Sequence, residues 1–318
     1  VGEIASKAFY TYLKGALADE SMYAGVSYLP DSDWYSYAGS NDSESTFWGG
    51  VDSDYGELDK VYYEQTMYSM HKVLPGGISR VVPRKDWTYG NTYVSAPAED
   101  SYAISKQYIS GYLSINVYKC LFSPRTPSYY PPTGTSATPV ALSDGYVWKY
   151  LYTISNSQSL RFLNDKWIPV AEKITSAEIS EITTESPNYN QYLSQVNAEQ
   201  GAVYDAEIDS DLLIQTITND SDLRVAFNWS SVNLIGIDNR TNKPNRTFKI
   251  TLQWDSNNSK FTTSLIESGQ GYVGPISIHL DSDSNYINGL TGIISPGEGH
   301  GSNVPAEIKT NSVMVSVR

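Results

Sequence analysis

The residues best suited to chemistry are few, and their spacing argues against most of it. His71, His279 and His300 are the three histidines, and no HExxH or HxH arrangement places them to hold a metal. His300 lies in "SPGEGHGSN" (Ser295–Asn303), where flanking glycines would let backbone amides line a pocket or simply make a turn. No serine elbow or partner acid is recognisable for it in the sequence. Two acidic runs imitate calcium loops. Asp281–Asn285 supplies the first three ligand positions, but Tyr286 stands where the loop needs glycine and Gly292 where it needs a bidentate glutamate. Asp52–Asp59 departs in a similar way. Among 35 acidic residues no spacing selects a glycosidase pair. What remains is "KVLPGGISRVVPRKDW" (Lys72–Trp87), with Arg84, Lys85 and Asp86 wedged between Pro83 and Trp87. Pro75, Gly76 and Gly77 read as a turn leading into an extended run. Without partners for catalysis or surrounding positive charge for phosphate, Arg84 and Asp86 read as a charge-paired anchor beside Trp87. The sequence thus points to no catalytic residue, no metal and no cofactor.

Composition narrows the partners. The chain has 318 residues and a formal net charge of −13, so it gains nothing from counterion release and no nucleic-acid partner is expected. No apolar run approaches the ~18 residues of a membrane span, which leads one to expect a soluble chain with no membrane partner. The single Cys120, in the apolar "VYKCLF", has no disulfide partner and reads as a buried thiol made in a reducing compartment. Tyrosines number 26 and tryptophans 7. In "DGYVWKYLYTI" (Asp144–Ile154), Tyr146, Trp148, Tyr150 and Tyr152 share one strand face, and Val147, Leu151 and the stem of Lys149 the other. Such a strand is covered on both sides, by its own domain or by a partner. An alternative use of the aromatics is as exposed sugar-binding platforms, for instance at Trp34 and Trp48, in a carbohydrate-binding tail or receptor-recognition module.

The elements that would position these residues are mostly strands. Residues 108–122, 146–154, 246–254 and the final "VMVSVR" have strand character. Helices are expected at Glu3–Glu20, with Ile4, Ala8, Tyr12 and Ala16 on one face beside Leu13, and at Pro187–Ala202. Short strands joined by polar turns imply a mainly β fold, α+β with few peripheral helices, whose core is β-sandwich-like with long loops. Of the 26 tyrosines, 21 lie at or before Tyr152. This shift implies a Tyr-rich region, 1–175, and an Asn/Asp/Ser/Thr-rich region, 176–318, either separate or interleaved. The strand-like run at the end leads one to expect a natural chain extending past Arg318.

Three stretches, in order, carry a family likeness: Lys72–Trp87 with its Lys-x-Leu-Pro start and Pro-Arg-Lys-Asp-Trp close, "VYKCL" (Val117–Leu121), and "SDGYVWKYLYTI" (Ser143–Ile154). Together they resemble the baseplate wedge subunit of T4-like contractile-tailed bacteriophages, the gene 8 product family, over roughly residues 72–154. "SPGEGHGSN" is similar to a glycine-histidine turn of longer members. The family's early Gly-Arg before a tryptophan is replaced by "YLPDSDW" (Tyr28–Trp34). The resemblance implies a structural virion protein of the tail baseplate, not an enzyme, assembled in the host bacterial cytoplasm. It implies a homodimer with a second copy and contacts to other baseplate wedge proteins. Pro75, Gly76, Arg84, Asp86, Trp87, Gly145, Tyr146 and Trp148 are then structural anchors. Tyr129, Tyr130, Pro131 and Pro132, in the pre-restricted proline-rich arm Ser123–Pro139, are the candidate partner interface.

Overall fold

A computed structural model describes residues 2–19, 21–27, 67–74, 76–95, 97–98, 100–109, 111–227, 231–240, 244–281 and 286–317. Trp34, Trp48, Asp52–Asp59, Pro75 and residues 282–285 lie outside this set. The fold is mainly β. Residues 1–7 and 80–312 form one compact unit, and 8–79 with 313–318 a smaller one. The compositional boundary near residue 175 falls inside the larger unit, between a sandwich of strands and a barrel.

The sandwich is built on a four-stranded antiparallel sheet, in the order β4 (Tyr102–Ile109), β5 (Tyr112–Phe122), β7 (Val147–Thr153), β6 (Val140–Ala141). The last eight residues of β5 are all buried, as expected of a strand covered on both faces. On one face Ile115, Val117, Leu151 and Tyr152 pack with Val82 and Ile168. These come from the antiparallel pair β3 (Ile78–Pro83) and β8 (Trp167–Pro169). The other face carries Ala103, Tyr118, Cys120, Tyr146, Trp148 and Tyr150. Tyr152 does not join the other three aromatics as the alternation predicts. A bulge opposite Val117–Tyr118 inserts Leu151, reverses the parity and sends Tyr152 to the first face, where its hydroxyl donates to the Pro169 carbonyl at 2.9 Å.

The barrel is one antiparallel sheet, in the order β12 (Lys260–Glu267), β11 (Lys249–Asp255), β10 (Val232–Asp238), β13 (Ile276–Leu280), β14 (Tyr286–Ile294), β9 (Val203–Ile208). Val203 and Gly269 exchange backbone hydrogen bonds, which nearly closes it. Alternate residues of β10 are buried, so Leu234 points inward with Ile250, Leu252, Ile278 and Leu290. Gly236 is closely covered: an added Cβ would lie 3.0 Å from the Phe248 ring and 3.1 Å from Ile276, so these side chains would have to shift to admit it.

The helices of the larger unit are short. They are α2 (Asn156–Phe162), α3 (Ser176–Ile179), α4 (Tyr189–Val196), α5 (Ser210–Asn219), α6 (Ser221–Ala226) and α7 (Val304–Glu307). All but α4 have a side-chain N-cap. Ser155 and Thr175 form capping boxes, while Asp209 and Asp220 cap α5 and α6. Leu213 and Leu223 bury the α5–α6 pair on the barrel core. The second predicted helix is thus cut to the eight residues of α4.

In the smaller unit, β1 (Tyr23–Ser27) pairs antiparallel with β2 (Met67–Lys72). Leu13, flanked by Tyr10 and Leu17, packs with Val73 and Ile78. Tyr10, Leu13 and Leu17 come from α1 (Gly2–Asp19), which forms where predicted but buries a different stripe: Ile4 and Tyr12 are both 70% exposed. The final strand-like run is strand β15 (Ser312–Val315). Among the described residues no helix is long and apolar enough to cross a membrane.

Candidate functional site

The segment after β3 forms a joint rather than a cleft. Arg84 grips Asp86 with two parallel bonds, Nε to Oδ1 at 2.7 Å and Nη2 to Oδ2 at 2.8 Å. Its remaining arm donates to the Asn164 carbonyl at 3.0 Å, and its backbone N–H to the Lys166 carbonyl at 2.8 Å. Lys106 Nζ approaches Asp86 from the sheet at 3.1 Å. The bonded Arg84 holds the Asp86 carboxyl below its ordinary value, against the effect of burial and with help from Lys106. The same hydrogen bond holds the Arg84 guanidinium above its own. The geometry is that of a bidentate fork, which fixes orientation as well as charge.

Two residues on, the chain enters the sheet edge. Ile104 N–H donates to Lys85 O at 2.7 Å, and Trp87 N–H to Ile104 O at 2.8 Å. Trp87 packs beside the Tyr118–Cys120–Tyr146–Trp148–Tyr150 cluster, and its indole donates to Ser128 Oγ at 3.2 Å. Ser128 passes its own proton to Asp144 Oδ2 at 2.8 Å. That oxygen also accepts from the backbone amides of Tyr129 and Tyr130, at 2.9 and 3.2 Å. One carboxylate therefore organises the proline-rich arm.

Asp144 is presented by a three-residue hairpin loop, Ser143–Gly145. Leu142 N–H donates to Tyr146 O, Gly145 N–H to Leu142 O, and Gly145 has φ 88°, the left-handed position such loops require. This explains the Asp-Gly-Tyr spacing. Tyr146 then reaches across, its hydroxyl donating to Thr126 O at 2.6 Å and accepting from Tyr93 N–H at 3.1 Å. Its ring stacks on Trp148 at 6.0 Å, and burial raises its pKa.

Arg84, Asp86, Trp87, Gly145, Tyr146 and Trp148 therefore meet in one framework, whereas Gly76, at φ 75°, serves a turn of the smaller unit. Of the candidate interface, Tyr129 and Tyr130 are about half exposed and Pro131 is exposed. Pro132 is buried and belongs to the fold.

The groups with chemical potential are committed elsewhere. Burial pushes the Cys120 thiol well above its ordinary pKa, and Sγ contacts the Phe122 carbonyl. His300 is buried, with Nδ1 2.6 Å from Glu307 Oε1. Burial works to raise the Glu307 pKa, but the His300 charge and hydrogen bond, with Lys119 and the Gly301 amide, hold it below the usual value. Gly299 and Gly301 both adopt positive φ to turn the chain around this pair. Ser277 Oγ lies 2.8 Å from His279 Nε2, but its proton goes to Asn239 Oδ1 at 2.9 Å. His279 is then the donor, the reverse of a nucleophile–base pair.

Sequence reading missed a clasp at Arg125, which has φ 63°. Its guanidinium donates to Ala206 O at 2.6 Å and Thr263 Oγ1 at 2.5 Å, and lies 3.3 Å from the fully buried Asp205. Burial raises the Asp205 pKa despite Arg125. Nothing local marks these partners, which stand 80 and 138 residues away in sequence.

Compared with protein-family models, the chain matches none, and compared with curated proteins it has no significant match.

Proposed function

We propose that this chain is a structural baseplate wedge protein of a contractile phage tail, which holds neighbouring subunits in fixed geometry and performs no catalysis. The observation that carries the reading is the convergence of the resemblance-bearing motifs. Arg84–Trp87, Cys120 and Asp144–Trp148 come from three separate stretches and pack as one hydrogen-bonded cluster. A framework of this kind presents Tyr129, Tyr130 and Pro131 rigidly, with their backbone already ordered by Asp144. Aromatic side chains on an ordered backbone lose little entropy on docking and supply large contact area. In this reading they meet a second copy and other wedge proteins.

The test is the mass of the purified chain, by light scattering and native mass spectrometry at tens of micromolar. A dimer is expected, and Tyr129→Glu combined with Tyr130→Glu is expected to give monomers that still unfold in one cooperative transition, at a melting temperature that no longer rises with protein concentration. A strict monomer in the wild type removes the homodimer from the proposal, and a dimer untouched by the double variant moves its interface elsewhere.

A further inference from the structure

The seam of the barrel, between β9 and β12, is tied at two points and open between them. At one end Val203 and Gly269 exchange hydrogen bonds of 3.1 and 2.7 Å. At the other, Thr263 N–H donates to Pro124 O at 3.4 Å, so the Ser123–Arg125 segment fills the gap. Thr263 therefore turns its backbone away from β11. Leu265 follows two residues later in unbroken register, Leu252↔Thr263 and Ile250↔Leu265, and turns its N–H and C=O the same way. A second strand edge faces the same space. Leu142 N–H points to β7, so the preceding Ala141 directs its N–H and C=O away from that strand.

Ala141 and Leu265 line one groove of about 490 Å³, with Val147 and the Tyr204 ring supplying apolar surface. That volume is in the range of ligand sites. The charged residues among its lining, Glu199 and Arg246, pair with each other at 3.3 Å. The groove is thus neutral, on a chain whose net charge is −13.

We propose that this groove receives an extended, uncharged peptide segment of a partner protein, which adds as a short strand between β6 and the free stretch of β12. Ala141 on one side and Leu265 on the other each turn one N–H and one C=O outward, and an extended main chain can bond to such a residue on each of its sides. Val147 and Tyr204 take a small apolar side chain, and the neutral lining disfavours a charged one. The groove is independent of the baseplate reading and stands or falls by its own test.

The probe is a pool of acetylated, amidated tetrapeptides built from Ala, Val, Ser, Thr and Tyr, read by amide exchange and by titration of the selected members. Saturable one-to-one binding is expected, with exchange at the Leu265 amide slowed about tenfold or more. Ser264→Arg, at an exposed position lining the groove, is expected to weaken binding at least about tenfold while leaving the melting temperature unchanged. Should that variant melt early, Thr138→Arg repeats the block from the β6 side. No saturable binding by any member, binding that both variants leave intact, or an unchanged Leu265 amide overturns the proposal. So does equal binding by tetrapeptides of Asp or Lys.

Discussion

Lys119 and Lys149 stand directly opposite one another in the β5–β7 ladder, both almost fully buried and on the same face of the sheet. Like charges in that relationship are unfavourable. Each ammonium is offered one backbone carbonyl, Glu307 O for Lys119 at 2.8 Å and Ala137 O for Lys149. The acids that compensate them, Glu307 and Glu199, belong to α7 and to the loop after α4. Burial lowers the pKa of both lysines, that of Lys149 to about 8.

This makes Lys149 a site where charge opposes stability. Its folded pKa lies below the usual lysine value near 10.4, so the unfolded chain binds more protons between those limits and stability rises with pH across them. Lys149→Met removes the opposition but leaves Ala137 O without its donor. A net gain of about 1–2 kcal/mol at pH 7 is expected, shrinking as pH approaches 10. Denaturant unfolding at both pH values measures it, and a variant weaker than wild type at pH 7 rules the account out.

Arg84→Ala tests the joint. The pair is partly exposed, so the direct loss is about 1 kcal/mol, seen as a lower melting temperature. The sign with pH follows from the depressed Asp86 carboxyl. Its contribution is present above the unfolded aspartate value near 3.9 and disappears as pH falls through the folded value. Wild type and variant are therefore expected to converge in acid. Equal stability at pH 7 would show that the fork only decorates the surface.

Gly145→Ala isolates the hairpin loop. A Cβ there would meet Pro124 at 3.6 Å, an ordinary contact, so the cost is that of a left-handed backbone alone, about 1–2 kcal/mol. Gly145→Asn is expected to cost less, since asparagine tolerates that region. Melting curves for the two decide it. If they coincide, sterics rather than conformation govern the position.

How far the sequence disclosed these sites depends on the range of the contacts. Strand β7 is legible because its apolar and aromatic residues are consecutive, and it spans Val147–Thr153 against an expected 146–154. The bulge at Leu151 is not legible, since only pairing with β5 creates it. The expected single strand over 108–122 is interrupted by a turn at Gly111, φ 84°, whose Ser-Gly signal was outweighed by its apolar flanks. The Arg84–Asp86 pair, two residues apart, could be read directly. Trp87 and Asp144 are joined only through Ser128, and the two buried lysines look like ordinary strand residues until the sheet stacks.

The clasp at the barrel seam carries the sharpest expectation. Arg125→Met leaves the Asp205 carboxylate buried without its counter-charge, held by the amides of Ser123 and Ala206 and by the Ser95 side chain. Removing one member of a buried pair costs about 3 kcal/mol or more at pH 7. Burial already raises the Asp205 pKa, and loss of Arg125 raises it further. The folded variant then takes up a proton more readily than the unfolded chain, so its stability falls as pH rises from about 4 through the folded value. The deficit is largest at neutral pH and shrinks in acid, as for Arg84→Ala, but here because the variant gains stability on protonation, whereas there the wild type loses it. Adding Asp205→Asn to Arg125→Met is expected to recover about 1–3 kcal/mol at pH 7, because a neutral amide needs no counter-charge. Denaturant melts of the single and double variants at pH 5 and pH 7 test both statements. A deficit in Arg125→Met that is independent of pH and untouched by the second change would mean that the arginine acts through packing, not through Asp205.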